Sequence, residues 1–406
     1  MRAAAVVLLS AVLAACGTGP VRSVGTDRTR TDDVVTVNDR LYVTRSGGLS
    51  VVNVATGKVE RELPEGVMAP DRSAYYAVEP GTAITMVRKL DPASGMELGR
   101  IAVTGAFDLP RAYGPLPDSI SANGRYVVLV GTTEPSNFAV LDLREGKETS
   151  RAKLQGSFTF DAIDDLGTSL YLLEHPRAGT DLYNVRLFDL GTNALSPQAI
   201  VDQKAAVPTP ADLARGTMGG IYHASASANM WHFGLYVNAT KGPVVHALHM
   251  TARYASCLLD LTSMTTHRAA WTILPSPAHD RVFVLNAGSG AFASLDAATL
   301  QMAKRTFTVQ AGREADLRGS AVVTGDGTRV YATGGKGILV VDARTLSMRG
   351  QYLADREFVS VMVSADGTRL YALDREGAIS RIEPGTGRDL GIVAKLPSAV
   401  SIVRID

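Results

Sequence analysis

Cysteine is nearly missing from this chain: two residues in 406, Cys16 and Cys257. That excludes a disulfide-stapled scaffold, cysteine-rich zinc modules, thiol-attached haem and dithiol redox chemistry. An excess of charge of either sign is missing too, since 41 Lys and Arg face 40 Asp and Glu for a formal charge of +1. So even a balance supplies no basic footprint for nucleic acid. No apolar run reaches the roughly 20 residues a membrane-spanning helix needs. Enzyme signatures are scarce as well. There is no Gly-x-Ser-x-Gly elbow, no His-Glu-x-x-His and no phosphate loop. What is present is a chain that is 46% hydrophobic with 39 glycines. That is enough to bury a large core, and the glycines predict many turns.

The first segment is an address. Met1-Arg2 is followed by an apolar run from Ala3 to Ala15, then Cys16 and Gly17, which are the parts of a secretory signal. Leu13-Ala14-Ala15-Cys16 resembles a bacterial lipobox. The resemblance implies a signal peptide over residues 1–15, with Cys16 as the first mature residue and the bearer of the lipid. Residues 16–33 carry no large apolar side chain except two Val and read as a tether. The expected address is therefore extracytoplasmic, anchored to the cell membrane. Cys257, left without a disulfide partner, sits in the mostly apolar run Ala255–Leu261 and reads as a buried, inert thiol.

From residue 34 the chain repeats itself. Ser364-Ala365-Asp366-Gly367-Thr368-Arg369-Leu370-Tyr371-Ala372 closely matches Thr324-Gly325-Asp326-Gly327-Thr328-Arg329-Val330-Tyr331-Ala332. Each is a tight turn feeding an alternating strand. A second strand follows each copy and ends on a polar residue, at Asn53, Asp91, Asp142, Asp189, His249, Asp296, Asp342 and Glu383. These eight positions are 38 to 60 residues apart. A carboxylate there can accept backbone N–H bonds at the turn between a third and a fourth strand. The pattern predicts an all-β chain, a β-propeller of four-stranded blades over residues 34–406 as a single domain. Eight blades are favoured and seven are the alternative. The C-terminal stretch Ala399–Arg404 is expected to complete the first blade and close the ring.

With Leu41-Tyr42-Val43-Thr44 and Val51-Val52-Asn53-Val54-Ala55-Thr56-Gly57 added, the copies resemble the YVTN/WD40-like propeller repeats of secreted and surface bacterial proteins. The fifth unit, with Trp231-His232-Phe233-Gly234-Leu235-Tyr236 and Pro243-Val244-Val245-His246-Ala247-Leu248, is similar to a pattern in actinobacterial propeller lipoproteins and membrane proteins. The resemblance implies fold and address, since propellers host many unrelated activities.

Five of the seven His fall between His223 and His267, near Met218, Met230, Met250 and Met264. That composition invites a transition-metal site. Strand alternation argues against it, because His246 and His249 are three residues apart and point to opposite faces. No metal ligand and no cofactor is assigned. Binding faces of propellers are built from the loops between blades and between second and third strands. Those loops place Arg111, Tyr113, His175, Arg313, Glu314 and Arg356 as ligand or partner contacts, with Glu134, Glu174, Arg177, Asp316 and Glu357 nearby.

The paired carboxylates Asp164-Asp165 sit in a turn and are not assigned acid–base work, so no catalytic residue is named. The expected function is a lipid-anchored binding or scaffold module for an envelope protein or a small polar ligand. The alternatives are a propeller enzyme, lactonase-like or another hydrolase, and an envelope ligand sensor. Secreted propellers similar to these include quinone-dependent dehydrogenases, whose tryptophan-rich docking signature is not matched by Trp231 and Trp271 alone.

Overall fold

Alternation of apolar and polar residues between glycine-bearing turns dictates short antiparallel strands, and the chain forms them throughout. The computed structural model describes residues 38–110, 119–134, 136–177, 182–200, 218–219, 221–238, 242–261, 264, 270–310 and 319–406. Among these residues there is no helix. The expected signal peptide, the tether with Cys16, and Arg111, Tyr113, Arg313, Glu314 and Asp316 lie outside the described residues, as does the side chain of Cys257.

Six antiparallel units are built on a four-strand path and one larger sheet has seven strands. The first unit joins Arg40–Arg45, Gly48–Asn53 and Lys58–Pro64 to the C-terminal strand Ala399–Ile405. That strand pairs antiparallel with Arg40–Arg45, with Thr44 opposite Ser401. The second unit follows with Gly66–Met68, Tyr75–Glu79, Ile84–Leu90 and Glu97–Thr104. The third uses Phe107–Asp108, Tyr126–Gly131, Asn137–Asp142 and Lys147–Lys153.

In the fourth unit the strands are Phe158–Ile163, Ser169–Glu174, Leu182–Asp189 and Ala194–Ala199, with Met218–Gly219 added beside the third. The fifth holds Ile221–Ala228, Trp231–Asn238, Gly242–His249 and Tyr254–Asp260. Trp271–Pro275, Arg281–Asn286, Ala291–Asp296 and Met302–Thr306 make the sixth.

The seven-stranded sheet turns on one strand of 17 residues, Ser347–Val363. Its first part pairs with Lys336–Asp342, and its part from Phe358 onward pairs with Leu370–Asp374. From sequence, Arg356 is expected on a loop between blades, Ala354–Glu357. The structure corrects this, because pairing on both sides keeps the backbone extended through Arg356, and Leu353 at φ 48° supplies the bend. Arg356 is polar because its guanidinium reaches back into the sheet, not because the segment is a loop.

The core lies between units rather than within them. One buried cluster joins Leu41, Val43 and Val52 of the first unit to Tyr371, Leu373 and Ile379 of the seven-stranded sheet. Another packs Val67, Tyr76 and Val87 against Val127, Leu129 and Leu141. A third sets Phe233 and Leu235 against Val282 and Val284. Within the seven-stranded sheet, Tyr331, Ile338 and Val340 pack onto Phe358, Val361, Leu370 and Ala372. Strands of one flat sheet could not meet in this way, so the sheet folds over at its long strand. Sheets that bury their faces only on their neighbours, and meet end to end through the C-terminal strand, form a β-propeller.

Small polar residues stitch the units together. The Ser360 hydroxyl accepts from the Ile402 N–H at 3.0 Å and lies 3.0 Å from the Ser401 hydroxyl. The Ser136 hydroxyl accepts from the Phe158 N–H at 3.1 Å and donates to the Gly156 carbonyl at 2.7 Å. Where the first unit meets the seven-stranded sheet, Asp39 is 2% exposed. It accepts from the Tyr371 hydroxyl at 2.6 Å and from the Arg369 guanidinium.

Candidate functional site

Antiparallel pairing sends the turn between first and second strands and the turn between third and fourth strands to the same end of each unit. Both turns are chemically repetitive. The first is closed by a hydroxyl: Ser121 Oγ accepts the Tyr126 N–H, Ser276 Oγ the Arg281 N–H, and Ser364 Oγ the Arg369 N–H. The second is closed by the register residue, as expected from sequence. Asp142 Oδ1 accepts the N–H groups of Arg144 and Glu145 at 2.9 and 3.0 Å. Asp189, Asp296 and Asp342 each accept two N–H groups in the same way. These bonds hold the carboxyls of Asp189, Asp296 and Asp342 below the usual range, each led by one backbone N–H. His249 imitates them, with its Nδ1 accepting the Ala252 N–H at 3.1 Å. Its ring packs on Trp231 and Tyr254 with centroids 4.7 and 5.1 Å away. His249 is thereby a structural cap, and His246 lies on the opposite face near Tyr236.

The fifth unit breaks the pattern at its first turn. Five residues, Asp164 to Thr168, separate the first two strands of the fourth unit, whereas Asn229 and Met230 alone do so in the fifth. A two-residue hairpin needs a positive φ, and Asn229 supplies it at 55°. At this end, a cavity of about 390 Å³ is lined from the turns of the second to sixth units, including Pro70, Ile120, Leu166, Met230, Trp231 and His279. Leu166 and Met230 are 70% and 49% exposed at its rim.

Four buried polar side chains line the cavity, from Ser121, Asp161, Asp164 and His232, and two of them stand out. Asp161, 3% exposed, belongs to the inner strand of the fourth unit, at a bulge between Phe160 and Ala162. His232, 6% exposed, belongs to the second strand of the fifth. Among the described residues Asp161 accepts one hydrogen bond, from the Tyr236 hydroxyl at 3.3 Å. His232 Nε2 lies 3.5 Å from Asp161 Oδ1 without hydrogen-bond geometry, so among the described residues this buried nitrogen has no hydrogen bond. Behind them Tyr183 stacks on Tyr236 with ring centroids 4.6 Å apart. Burial, with Asp161 nearby, pushes the Tyr183 hydroxyl well above its ordinary range, and that hydroxyl has no partner among the described residues. A carboxylate can accept about four hydrogen bonds, and buried polar groups are ordinarily satisfied. Among the described residues this cluster is under-satisfied.

Four other polar groups of the cavity have partners within the protein. Asp164 takes the N–H and hydroxyl of Thr168 at 2.8 and 2.7 Å. Asp165 accepts the Asn123 N–H at 2.8 Å. Arg253 pairs with Asp189 at 3.4 Å, and His279 Nδ1 donates to the Ser227 carbonyl at 3.1 Å. The turn role expected for Asp164 and Asp165 is thus what the structure shows. Among the described residues no three His, Cys, Asp or Glu side chains are grouped to hold a metal ion.

Of the side chains favoured from sequence, His175 and Arg356 are among the described residues and lie at the opposite end. His175 Nε2 meets the Thr159 hydroxyl at 3.0 Å. The Arg356 guanidinium bonds Asp389 at 2.7 Å and the Ser380 hydroxyl at 2.9 Å, and lies 4.8 Å from the centroid of the Phe358 ring. Glu174 pairs with Arg186, Glu134 with Lys153 and Glu357 with Arg375. These side chains are engaged within their own sheets and are not brought together. Sequence reasoning passed over Asp161 altogether. A signal for His232 was present, since its register position holds Leu41, Tyr75, Val127, Leu170, Val282, Val330 and Leu370 in the other copies.

No family model matches the chain, and no curated protein matches it. Solved structures do. AztD of Citrobacter koseri superposes with a TM-score of 0.57 at 10% identity, covering 91% of this chain and 97% of its own. The dihydro-heme d1 dehydrogenase NirN, in complex with DHE, gives a TM-score of 0.54 at 15% identity over 90% of this chain and 74% of its own. The likeness is one of fold. Propeller architecture does not carry an activity from one chain to another, so function rests on the cavity.

Proposed function

We propose that this chain is a lipid-anchored, extracytoplasmic propeller of eight blades that binds a small polar ligand at the cavity lined by the turns of its second to sixth units. The seven-stranded sheet counts as two blades sharing Ser347–Val363. Buried clusters join each unit to the next, and a further one joins the halves of that sheet. Eight interfaces suit eight blades in a closed ring.

One observation carries the binding reading: a cavity of about 390 Å³ lined by a buried carboxylate and a buried imidazole nitrogen that lacks a hydrogen bond among the described residues. The volume falls within the range of small-molecule sites, which pair mostly apolar walls with a few placed polar groups. Leaving a buried polar atom unpaired costs about 1–3 kcal/mol, and a ligand that pairs it recovers that cost on binding. Native mass spectrometry of the protein extracted from its own membranes tests this. A low-mass species should accompany the wild-type chain and be absent from His232→Leu. If both proteins are free of ligand, the reading fails. Membrane fractionation tests the anchor, since Cys16→Ser should release the chain to the soluble fraction and unchanged partitioning would refute lipidation.

A second reading rests on the same pair. A carboxylate beside an imidazole is an acid–base couple, and a hydrolase would use it. Turnover of an ester or lactone panel, lost in Asp161→Asn, would favour that reading over binding alone.

A further inference from the structure

Resting on the reading of this cavity as a binding site, we propose that its ligand is a small organic cation, a protonated amine carried on an apolar body. The amine would sit against the Asp161 carboxylate with His232 beside it.

The charges decide the sign. Three carboxylates line the cavity, from Asp161, Asp164 and Asp165, against one guanidinium, from Arg253. Arg253 is occupied by Asp189, Asp164 by Thr168, and Asp165 by the Asn123 N–H. Among the described residues, the neighbours of the buried Asp161 carboxylate are a hydroxyl at 3.3 Å and an imidazole nitrogen at 3.5 Å. A buried carboxylate is stabilised by a positive charge and by further donors. An ammonium group brings both, with up to three N–H donors to divide between the carboxylate and the groups beside it. An anionic ligand would meet Asp161 at short range, where like charges repel strongly.

The walls decide the rest of the ligand. Ala162, Ile163, Leu166, Met230, Trp231 and Met250 surround the two polar residues. A hydrated inorganic ion would leave that apolar surface unused, whereas an aryl or branched alkyl body would cover it. The thioethers of Met230 and Met250 suit an aromatic body in particular.

Isothermal titration calorimetry on the purified full chain separates the possibilities with three probes of one shape: benzylammonium, benzyl alcohol and benzoate. Benzylammonium should bind at least tenfold more tightly than benzyl alcohol, and benzoate should give no measurable heat. Asp161→Asn should abolish the preference for the ammonium probe, while Glu60→Gln, on the outer strand of the first unit, should leave it intact. The wild-type comparison needs no variant, so a misfolded Asp161→Asn does not spoil the test. Equal binding of benzyl alcohol, or tighter binding of benzoate, overturns the cationic class and leaves the site standing. If no probe binds while a His232-dependent ligand still accompanies the native protein, the cationic class alone is refuted. If neither is found, both readings fall.

Discussion

Asp142→Ala removes a carboxylate that is 2% exposed and accepts four hydrogen bonds. Two come from the backbone N–H groups of Arg144 and Glu145, at 2.9 and 3.0 Å, and two from the Arg125 guanidinium, at 3.0 and 2.8 Å. Burial alone would raise this carboxyl, but the Arg125 and backbone donors outweigh it and hold the group below its usual range. The Arg125 side chain is 39% exposed, so solvent screens the ion pair and it is left out of the sum. Each backbone N–H bond to a charged acceptor contributes about 1 kcal/mol net at a turn where water can replace it. The expected loss is therefore about 2 kcal/mol. With a urea slope of about 3 kcal/mol/M, the midpoint should fall by roughly 0.7 M. Asp142→Asn keeps an oxygen for both N–H groups and should recover most of the loss. Glu383, the register residue of the last repeat, accepts from the Thr386 hydroxyl and pairs with Arg388 at 3.4 Å. Its replacement by Ala should leave the midpoint unchanged. Equal midpoints for Asp142→Ala and Glu383→Ala, or an Asn variant as weak as the Ala variant, would refute the idea that register carboxylates act as turn caps.

The other structural predictions concern acid, the ring closure and the inter-blade stitches. Asp91, Asp189, Asp296 and Asp342 all have lowered carboxyl pKa values, Asp91 through the Ser94 hydroxyl first and the others through a backbone N–H first. A group lowered by folding stabilises the fold above its unfolded value, about 3.9 for Asp, and that stability is lost as pH falls through the folded value. Urea midpoints should be level from about pH 7 to 5 and fall steeply below about pH 4; a level profile down to pH 3 contradicts the capping model. Asp39→Ala strands the Tyr371 hydroxyl and leaves the Arg369 guanidinium with Asp366 at 3.4 Å, and should cost about 2–4 kcal/mol, against about 1 for Tyr371→Phe, as read from denaturation midpoints. Ser360→Ala removes the acceptor of the Ile402 N–H and should cost about 1–2 kcal/mol; hydrogen exchange at Ile402 should then speed up while exchange in the second unit stays unchanged.

The repeat was legible because its turns and register residues obey local chemistry. A hydroxyl or carboxylate that must accept N–H groups at a fixed place in every unit leaves the same letter at the same place. Closure by Ala399–Ile405 was legible for a related reason, since among the described residues the first unit takes its fourth strand from the C-terminus. Two features were less visible. Ala354–Glu357 has the polarity of a loop, yet Arg356 and Glu357 earn their charge from Asp389 and Arg375 within the sheet. Polarity at a sheet edge and polarity in a loop look alike in one dimension. Asp161 lies on an inner strand with no turn chemistry to mark it. Its meaning depends on His232 and Tyr236, 71 and 75 positions away in the chain.

His232→Leu joins these two levels, because it restores the kind of residue the repeat uses at that position. The other copies hold Leu, Val or Tyr there, and each pairs with the residue just before its register position. Leucine is close to histidine in volume, would remove the unpartnered Nε2, and would pack beside Leu248, its cross-strand neighbour. Relief of an unsatisfied buried nitrogen and a gain in apolar burial together predict an increase of about 1 kcal/mol. A residue retained for stability would show the opposite sign. Raised stability with loss of the bound ligand is the signature of a site maintained at a cost to the fold. A fall in the urea midpoint of His232→Leu would mean instead that the Asp161–His232 contact holds the fourth and fifth units together, and the cavity would lose its claim to be a site.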